Sequence, residues 1–241
     1  MILCLDSGNS RIKWGVHDGL RWLEQGAVPH AEVGALAELM TRFPRPKRVM
    51  LANVAGIEAA QRIRSALSDW SANFYEVRSE KCCGGVTNLY KIPVRLGVDR
   101  WCALIGARSL TQSAAIVVMA GTATTVDALT SDGRFLGGLI LPGCDLMNES
   151  LGRGTAGLPR AQGNYAEWPA CTDDAIETGI LDAQAGAIER LWRRLEENVK
   201  ICLISGGNAK RIASCLAIPH RLAENLPLEG LKQLALEQGA G

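Results

Sequence analysis

The first apolar run of the chain ends in polar chemistry. Ile2-Leu-Cys-Leu leads directly into Asp6-Ser7-Gly8-Asn9-Ser10, with Lys13 and Trp14 close behind. Such a run, bounded by turn residues, predicts a buried strand. The pattern recurs in the second half as Ala115-Ile-Val-Val-Met119-Ala-Gly121-Thr122, with Gly121 falling opposite Gly8 and Thr122 opposite Asn9. Asp18-Gly19 and Asp132-Gly133 repeat in step with it. Asp-Gly between apolar runs predicts a hairpin with a type I′ turn, which needs positive φ at both central residues. Each half is therefore expected to open as strand, glycine turn, strand, Asp-Gly turn, strand. The repetition predicts two similar α/β domains, residues 1–109 and 110–241, with a glycine turn from each lining a cleft between them.

Between these landmarks, residues 32–42 pattern as an amphipathic helix that stops before Pro44. Arg48–Asn53 and Phe74–Val77 read as short strands. The stretch Gly56–Trp70 reads as a helix with Ile57, Ala60, Ile63 and Leu67 on one face. Residues 78–97 lack periodicity and carry Gly84-Gly85, Tyr90 and Pro93, which predicts a functional loop. Val98–Ser109 is expected to be a helix joining the halves, and residues 144–198 helical material inserted in the second. Lys200–Ile204 reads as a strand that breaks at Ser205-Gly206-Gly207-Asn208 into a helix over about 209–216.

Composition narrows the function. With 241 residues, 47% of them hydrophobic and 21% charged, the chain can bury full cores. A net charge of +1 argues against nucleic acid as the main partner. The cluster Arg190, Arg193 and Arg194 lies beside Glu189, Glu196 and Glu197 and reads as a solvated helix face. No run reaches the roughly 18 apolar residues of a membrane span, and no signal segment is evident, so a soluble cytoplasmic protein is expected. Eight cysteines without a C-x-x-C pair read as reduced thiols, and His17, His30 and His220 are too scattered for a histidine-based metal site or triad.

The candidate chemistry sits at strand ends. Gly8 lets the backbone approach a ligand, Asn9, Ser10 and Lys13 offer donors, and Asp6 can hold a cation directly or through water. On that reading an Asp6→Asn change leaves thermal stability almost untouched. Gly206-Gly207 reads either as a phosphate-facing turn or as a plain strand-to-helix turn, and Gly137-Gly138 with Pro142-Gly143 equally admits both kinds of reading. There is no Walker-type G-x-x-x-x-G-K-[ST]. Within Gly97-Val98-Asp99-Arg100, the pair Asp99 and Arg100 is either a helix cap with a surface ion pair or a general base beside an anion holder.

Taken together these residues resemble type III pantothenate kinases, within the superfamily of acetate kinase, sugar kinases and actin. The resemblance is carried by Asp6-x-Gly8-Asn9-Ser10-x-x-Lys13, Asn88-x-Tyr90-x-x-Pro93-x-x-Leu96-Gly97-x-Asp99-Arg100 and Gly121-Thr122-Ala-Thr-Thr-x-Asp127. Gly138-x-x-x-Pro142-Gly143, Thr172-x-Asp174-Ala-Ile-x-x-Gly179 and Ser205-Gly206-Gly207-Asn208 continue it. It implies two ribonuclease H-like (actin-like ATPase) domains and ATP-dependent phosphorylation of pantothenate, the first step of coenzyme A synthesis, by a homodimer. It assigns Asp6, Ser7, Gly8, Asn9, Ser10, Lys13, Gly121, Thr122, Gly206 and Gly207 to ATP, with Mg²⁺ at Asp6. Tyr90, Gly97, Val98, Asp99 and Arg100 fall to pantothenate with Asp99 as base, and Thr172 to the neighbouring subunit's pocket. Many such kinases carry an Asp, linked to a K⁺ or NH₄⁺ ion, where this chain has Met119. The alternatives are a kinase for another small hydroxylated substrate and a regulatory accessory protein of the same fold.

Overall fold

The computed structural model describes residues 1–154 and 162–237. They form two compact units: residues 1–111 with the C-terminal segment from Asn225, and residues 112–224. The expected boundary after residue 109 lies two residues from the observed one. The C-terminal segment, expected in the second domain, belongs to the first unit.

The first unit is built on strands β1 (Ile2–Ser7), β2 (Arg11–His17), β3 (Trp22–Pro29), β4 (Arg48–Asn53) and β5 (Phe74–Glu76), in the order β3-β2-β1-β4-β5. β1 pairs antiparallel with β2, in the register Asp6↔Lys13, and parallel with β4. All six residues of β1 are buried, as its continuous apolar run predicts for a central strand. Leu3, Leu5, Ile12, Val16, Val49, Leu51, Ile63 and Trp70 share one core. The helix expected over 32–42 is a 3-10 stretch, His30–Ala37, followed by the short α1 (Glu38–Arg42). The helix expected over 56–70 is α2 (Ile57–Ala66) and then a 3-10 turn from Ser68, because the backbone leaves helical geometry at Leu67.

Both Asp-Gly turns depart from type I′. Positive φ is confined to glycine, at Gly19 and Gly133, and neither Asp adopts it. Asp18 instead accepts the N–H groups of Leu20 and Arg21 on its carboxylate. The Gly133 N–H closes on the Thr130 carbonyl at 3.0 Å, the pattern of a type I turn followed by a left-handed glycine. The positive-φ pair lies elsewhere, inside the expected loop. Gly84 and Gly85, at φ 57° and 70°, join β6 (Cys82–Cys83) to β7 (Val86–Asn88) in a two-residue hairpin. After it α3 (Val98–Leu110) begins, as expected.

α3 crosses the C-terminal helix, Leu226–Glu237, with almost no space between the two backbones. A Cβ on Gly230 would stand 1.9 Å from the Cys102 carbonyl, and one on Gly106 would stand 2.2 Å from the Leu226 carbonyl. Trp22 Nε1 donates to Glu229 at 2.6 Å and Asn225 Nδ2 to Gln25 at 2.8 Å, which ties the same helix to β3.

The second unit repeats the plan. Strands β8 (Ala114–Ala120), β9 (Ala123–Leu129), β10 (Arg134–Pro142), β11 (Lys200–Ser205) and β12 (His220–Leu222) run in the order β10-β9-β8-β11-β12. The first three are again antiparallel neighbours, and β11 joins β8 in parallel. Ile116, Val118, Val126, Ile180, Ile188, Ile204 and Ile212 share its core. Of the stretch expected to be helical, 144–198, α4 (Cys144–Gly154) and α5 (Thr172–Arg194) are helices and 155–161 lie outside the described residues, and α6 is confined to Ala209–Ala213.

Candidate active site

In the first unit, Asp6 and Ser7 close β1, and Gly8-Asn9-Ser10 turn the chain into β2. Directly opposite residues of an antiparallel pair share a face, so Lys13 stands beside Asp6. Asp6 is only 6% exposed, and its Oδ1, like the Ser7 Oγ, is buried without a hydrogen-bond partner. Burial raises its pKa from 3.8 to about 6; Lys13 opposes the rise and the Asp99 carboxylate adds to it. An orphaned carboxylate oxygen at a strand end, next to a glycine turn with exposed Asn9 and Ser10, fits a hard cation taken up with its waters. The carbonyl of Gly8 is held at 2.7 Å by His30 Nε2, a contact that scattered histidines gave no reason to expect.

α3 supplies the second group. Gly97 precedes the helix in extended geometry, and Asp99 folds back so that its Oδ1 accepts the Arg100 N–H at 2.8 Å. A Cβ at position 97 would lie 2.7 Å from that oxygen and would displace the Asp99 carboxylate from this position. Val98 opens the helix and is half-buried. The surface ion pair that was one reading of Asp99-Arg100 is ruled out by burial: Arg100 is 5% exposed. Its Nη1 donates to the Tyr90 hydroxyl at 2.8 Å, and its guanidinium carbon lies 5.6 Å from the centre of that ring.

The Tyr90 loop is fixed by polar side chains rather than by regular structure. Asn88, fully buried, donates to the carbonyls of Glu80 and Pro93 and accepts from the Tyr90 N–H at 3.0 Å. Ser79 donates to the Leu96 carbonyl at 2.8 Å. One unit thus assembles Asp6, Lys13, Tyr90, Asp99 and Arg100 from four separate stretches of chain.

In the second unit three glycine turns converge at the end of β8. Gly121 and Thr122 follow the strand and are exposed. The Gly143 N–H donates to the Thr122 carbonyl at 2.9 Å, and a Cβ on Gly143 would meet the Gly121 carbonyl at 2.2 Å. Gly206, at φ 112°, lies against Ala120, with its Cβ position 2.4 Å from that carbonyl, while Gly207 faces open space. Gly137 sits at a bulge in β10, a structural role. Met119 is paired with Thr125 and Ser205. The hydroxyls of Thr124 and Thr125 are buried without partners, and strand alternation puts Thr125, not Thr124, on the face of Met119. Thr172 stands exposed at the first position of α5.

A family model for type III pantothenate kinase matches residues 2–194. The chain belongs to the type III pantothenate kinase family. It is 65% identical over 237 residues to the type III pantothenate kinase of Dechloromonas aromatica, covering 98% of this chain and 100% of that one. It is 47% identical to the corresponding protein of Aromatoleum aromaticum, with both chains covered completely. Among solved structures, a Baf family protein of Campylobacter jejuni described as a transcriptional activator aligns with TM-score 0.65 at 20% identity, over 99% of this chain and 100% of that one. The activator of 2-hydroxyisocaproyl-CoA dehydratase from Clostridium difficile aligns with TM-score 0.55 at 14% identity, over 98% and 93%. These two likenesses concern the fold, a mixed α/β architecture of the actin-like ATPase kind. No helix among the described residues is long and apolar enough to cross a membrane.

Proposed function

We infer that this protein transfers the γ-phosphoryl group of ATP to the primary hydroxyl of (R)-pantothenate, yielding 4′-phosphopantothenate and ADP. The observation that carries the reading is the placement of Asp99 at the start of α3. It shares one unit with a buried Asp6 at a glycine turn and with the Arg100–Tyr90 pair. In the reaction the substrate oxygen forms a bond to the γ-phosphorus while the bond from that phosphorus to the β,γ-bridging oxygen breaks. The hydroxyl proton passes to Asp99, acting as general base.

Lys13, the turn Ser7 to Ser10, Gly121-Thr122 and Gly206-Gly207 are assigned to the nucleotide, since they offer a cation, short hydroxyls and backbone that can come close. Tyr90 and Gly97 to Arg100 are assigned to pantothenate. Mg²⁺ at Asp6, directly or through water, would neutralise phosphate charge. Thr172 is assigned to the neighbouring subunit's pantothenate pocket in a homodimer, and the use of ATP together with free thiols supports a cytoplasmic location.

ATP consumption measured against pantothenate, acetate, N-acetylglucosamine and a sugar panel tests the reading. Turnover is expected with pantothenate, with the phosphorylated product identified by mass. Turnover with another hydroxyl compound and none with pantothenate would replace the substrate, and absence of any turnover would favour an accessory protein.

A further inference from the structure

The second unit holds a polar relay that ends on one of its glycine turns. Arg211, in α6, donates through Nη2 to both carboxylate oxygens of Glu177 at 2.7 and 2.9 Å, and through Nη1 to Asn208 Oδ1 at 2.7 Å. Asn208 Nδ2 donates in turn to Asp145 on α4 at 3.3 Å. The backbone N–H of Asn208 donates to the Ala120 carbonyl at 3.1 Å, the same carbonyl against which Gly206 is packed.

Asn208 is therefore tied to the end of β8 by its backbone and to two helices by its side chain. A helix of five residues cannot hold such a turn by its own hydrogen bonding. A planar guanidinium that spans two partners, Nη2 on the buried Glu177 carboxylate and Nη1 on Asn208, can, because its rigid plane fixes one partner relative to the other. Arg211 and Glu177 also line an open cavity of about 500 Å³, so the guanidinium keeps a wet side and its replacement does not empty the core.

We propose that Glu177, Arg211 and Asn208 form a positioning relay that fixes the Gly206-Gly207 backbone for the nucleotide. The proposal rests on the assignment of that turn to ATP made above. The three are positioning residues and act on affinity for the nucleotide.

The test is the dissociation constant of Mg²⁺-ATP from the full-length chain, measured by equilibrium titration for the wild type, Arg211→Met, Arg211→Lys and Glu177→Gln. A roughly tenfold weakening is expected, the lower end of what losing an outer supporting shell produces. Arg211→Lys should resemble Arg211→Met, because a single ammonium nitrogen cannot reproduce the fixed spacing of Nη2 on Glu177 and Nη1 on Asn208. The Glu177→Gln, Arg211→Met double variant should be no weaker than Arg211→Met, since the residues act as one unit. The KM for pantothenate and the thermal midpoint of Glu177→Gln should stay near wild type.

Unchanged ATP affinity in folded variants, or additive losses in the double variant, overturns the relay. If Arg211→Met fails to fold, Glu177→Gln and Arg211→Lys decide alone. A wild-type chain that binds Mg²⁺-ATP without phosphorylating pantothenate defeats the activity and leaves the relay to be judged by its variants. A wild-type chain that binds no Mg²⁺-ATP overturns both.

Discussion

Replacing Asp6 with Asn should make the ligand-free protein relatively more stable as pH rises, while removing its activity. The folded-state pKa of about 6, against 3.8 for an ordinary Asp, means that the native protein keeps the Asp6 proton after the unfolded chain has lost it. Below pH 3.8 both states are protonated and the residue contributes nothing to the pH dependence. Between 3.8 and about 6 the unfolded state gains by ionising and the native state does not, so stability falls. Above about 6 the penalty is complete, at about 3 kcal/mol. Asn carries no such term. Its amide does bring donors into a site with no partner for Oδ1, a pH-independent loss of about 1–3 kcal/mol. The diagnostic is therefore the slope and not the level. The advantage of Asp6→Asn over wild type should grow by about 2.4 kcal/mol from pH 4 to pH 8, or roughly 5–10 °C in thermal midpoint for a chain of this size. Urea or thermal unfolding of both proteins across that range measures it. Parallel profiles would refute the buried, orphaned carboxylate. Added Mg²⁺-ATP should erase the difference by stabilising the ionised form, with proton release on binding near pH 6.

Asp99→Asn should lower kcat roughly 10²–10⁴-fold with ATP affinity little changed, and turnover near wild type would sink its role as base. Gly230→Ala forces a Cβ to within 1.9 Å of the Cys102 carbonyl and should destabilise by about 1–3 kcal/mol in urea titration. Gly186→Ala, in open space on α5, should be neutral or stabilising by up to about 1 kcal/mol, and equal losses at the two sites would contradict the tight crossing. Mixing Asp99→Asn chains with Thr172→Tyr chains should restore activity, because one site of each mixed dimer then has both residues intact; no recovery after confirmed subunit exchange counts against sharing. With Met119 in place of a carboxylate, turnover should depend only weakly on K⁺ or NH₄⁺, or saturate at high concentration through hydroxyls such as Thr125; a sharp requirement met at low millimolar K⁺ defeats both versions.

The parts of the fold that could be read in advance are those whose signal is local. β1, β4, β8 and β11 are short apolar runs with polar ends, and all four lie within the central strands of their sheets. The Asp-Gly pairs marked their hairpins correctly but not the turn geometry, because Asp18 satisfies the backbone through its carboxylate at negative φ. The true two-residue hairpin at Gly84-Gly85 was hidden in a stretch without periodicity, its strands being two and three residues long. The allegiance of the C-terminal helix depends on Gly106 and Gly230 facing each other across a crossing. Two glycines far apart in sequence announce nothing of the kind.

The site divides along the same line. Strand-end glycine turns and Asp99-Arg100 carry their chemistry in adjacent residues, and so could be proposed as candidates from the chain alone, whereas Tyr90 entered through the family resemblance. Nothing local signals the burial of Asp6, the grip of His30 on the Gly8 carbonyl or the Glu177–Arg211 ion pair, since each depends on a partner that only folding supplies. This difference replaces the expectation of an unaltered thermal midpoint for Asp6→Asn with that of a midpoint whose difference from wild type grows with pH. A carboxylate judged by its neighbours in sequence looks solvated. Held at the end of a buried strand with one oxygen unpartnered, it opposes folding at neutral pH, and a cation bound there would recover the free energy withheld from stability.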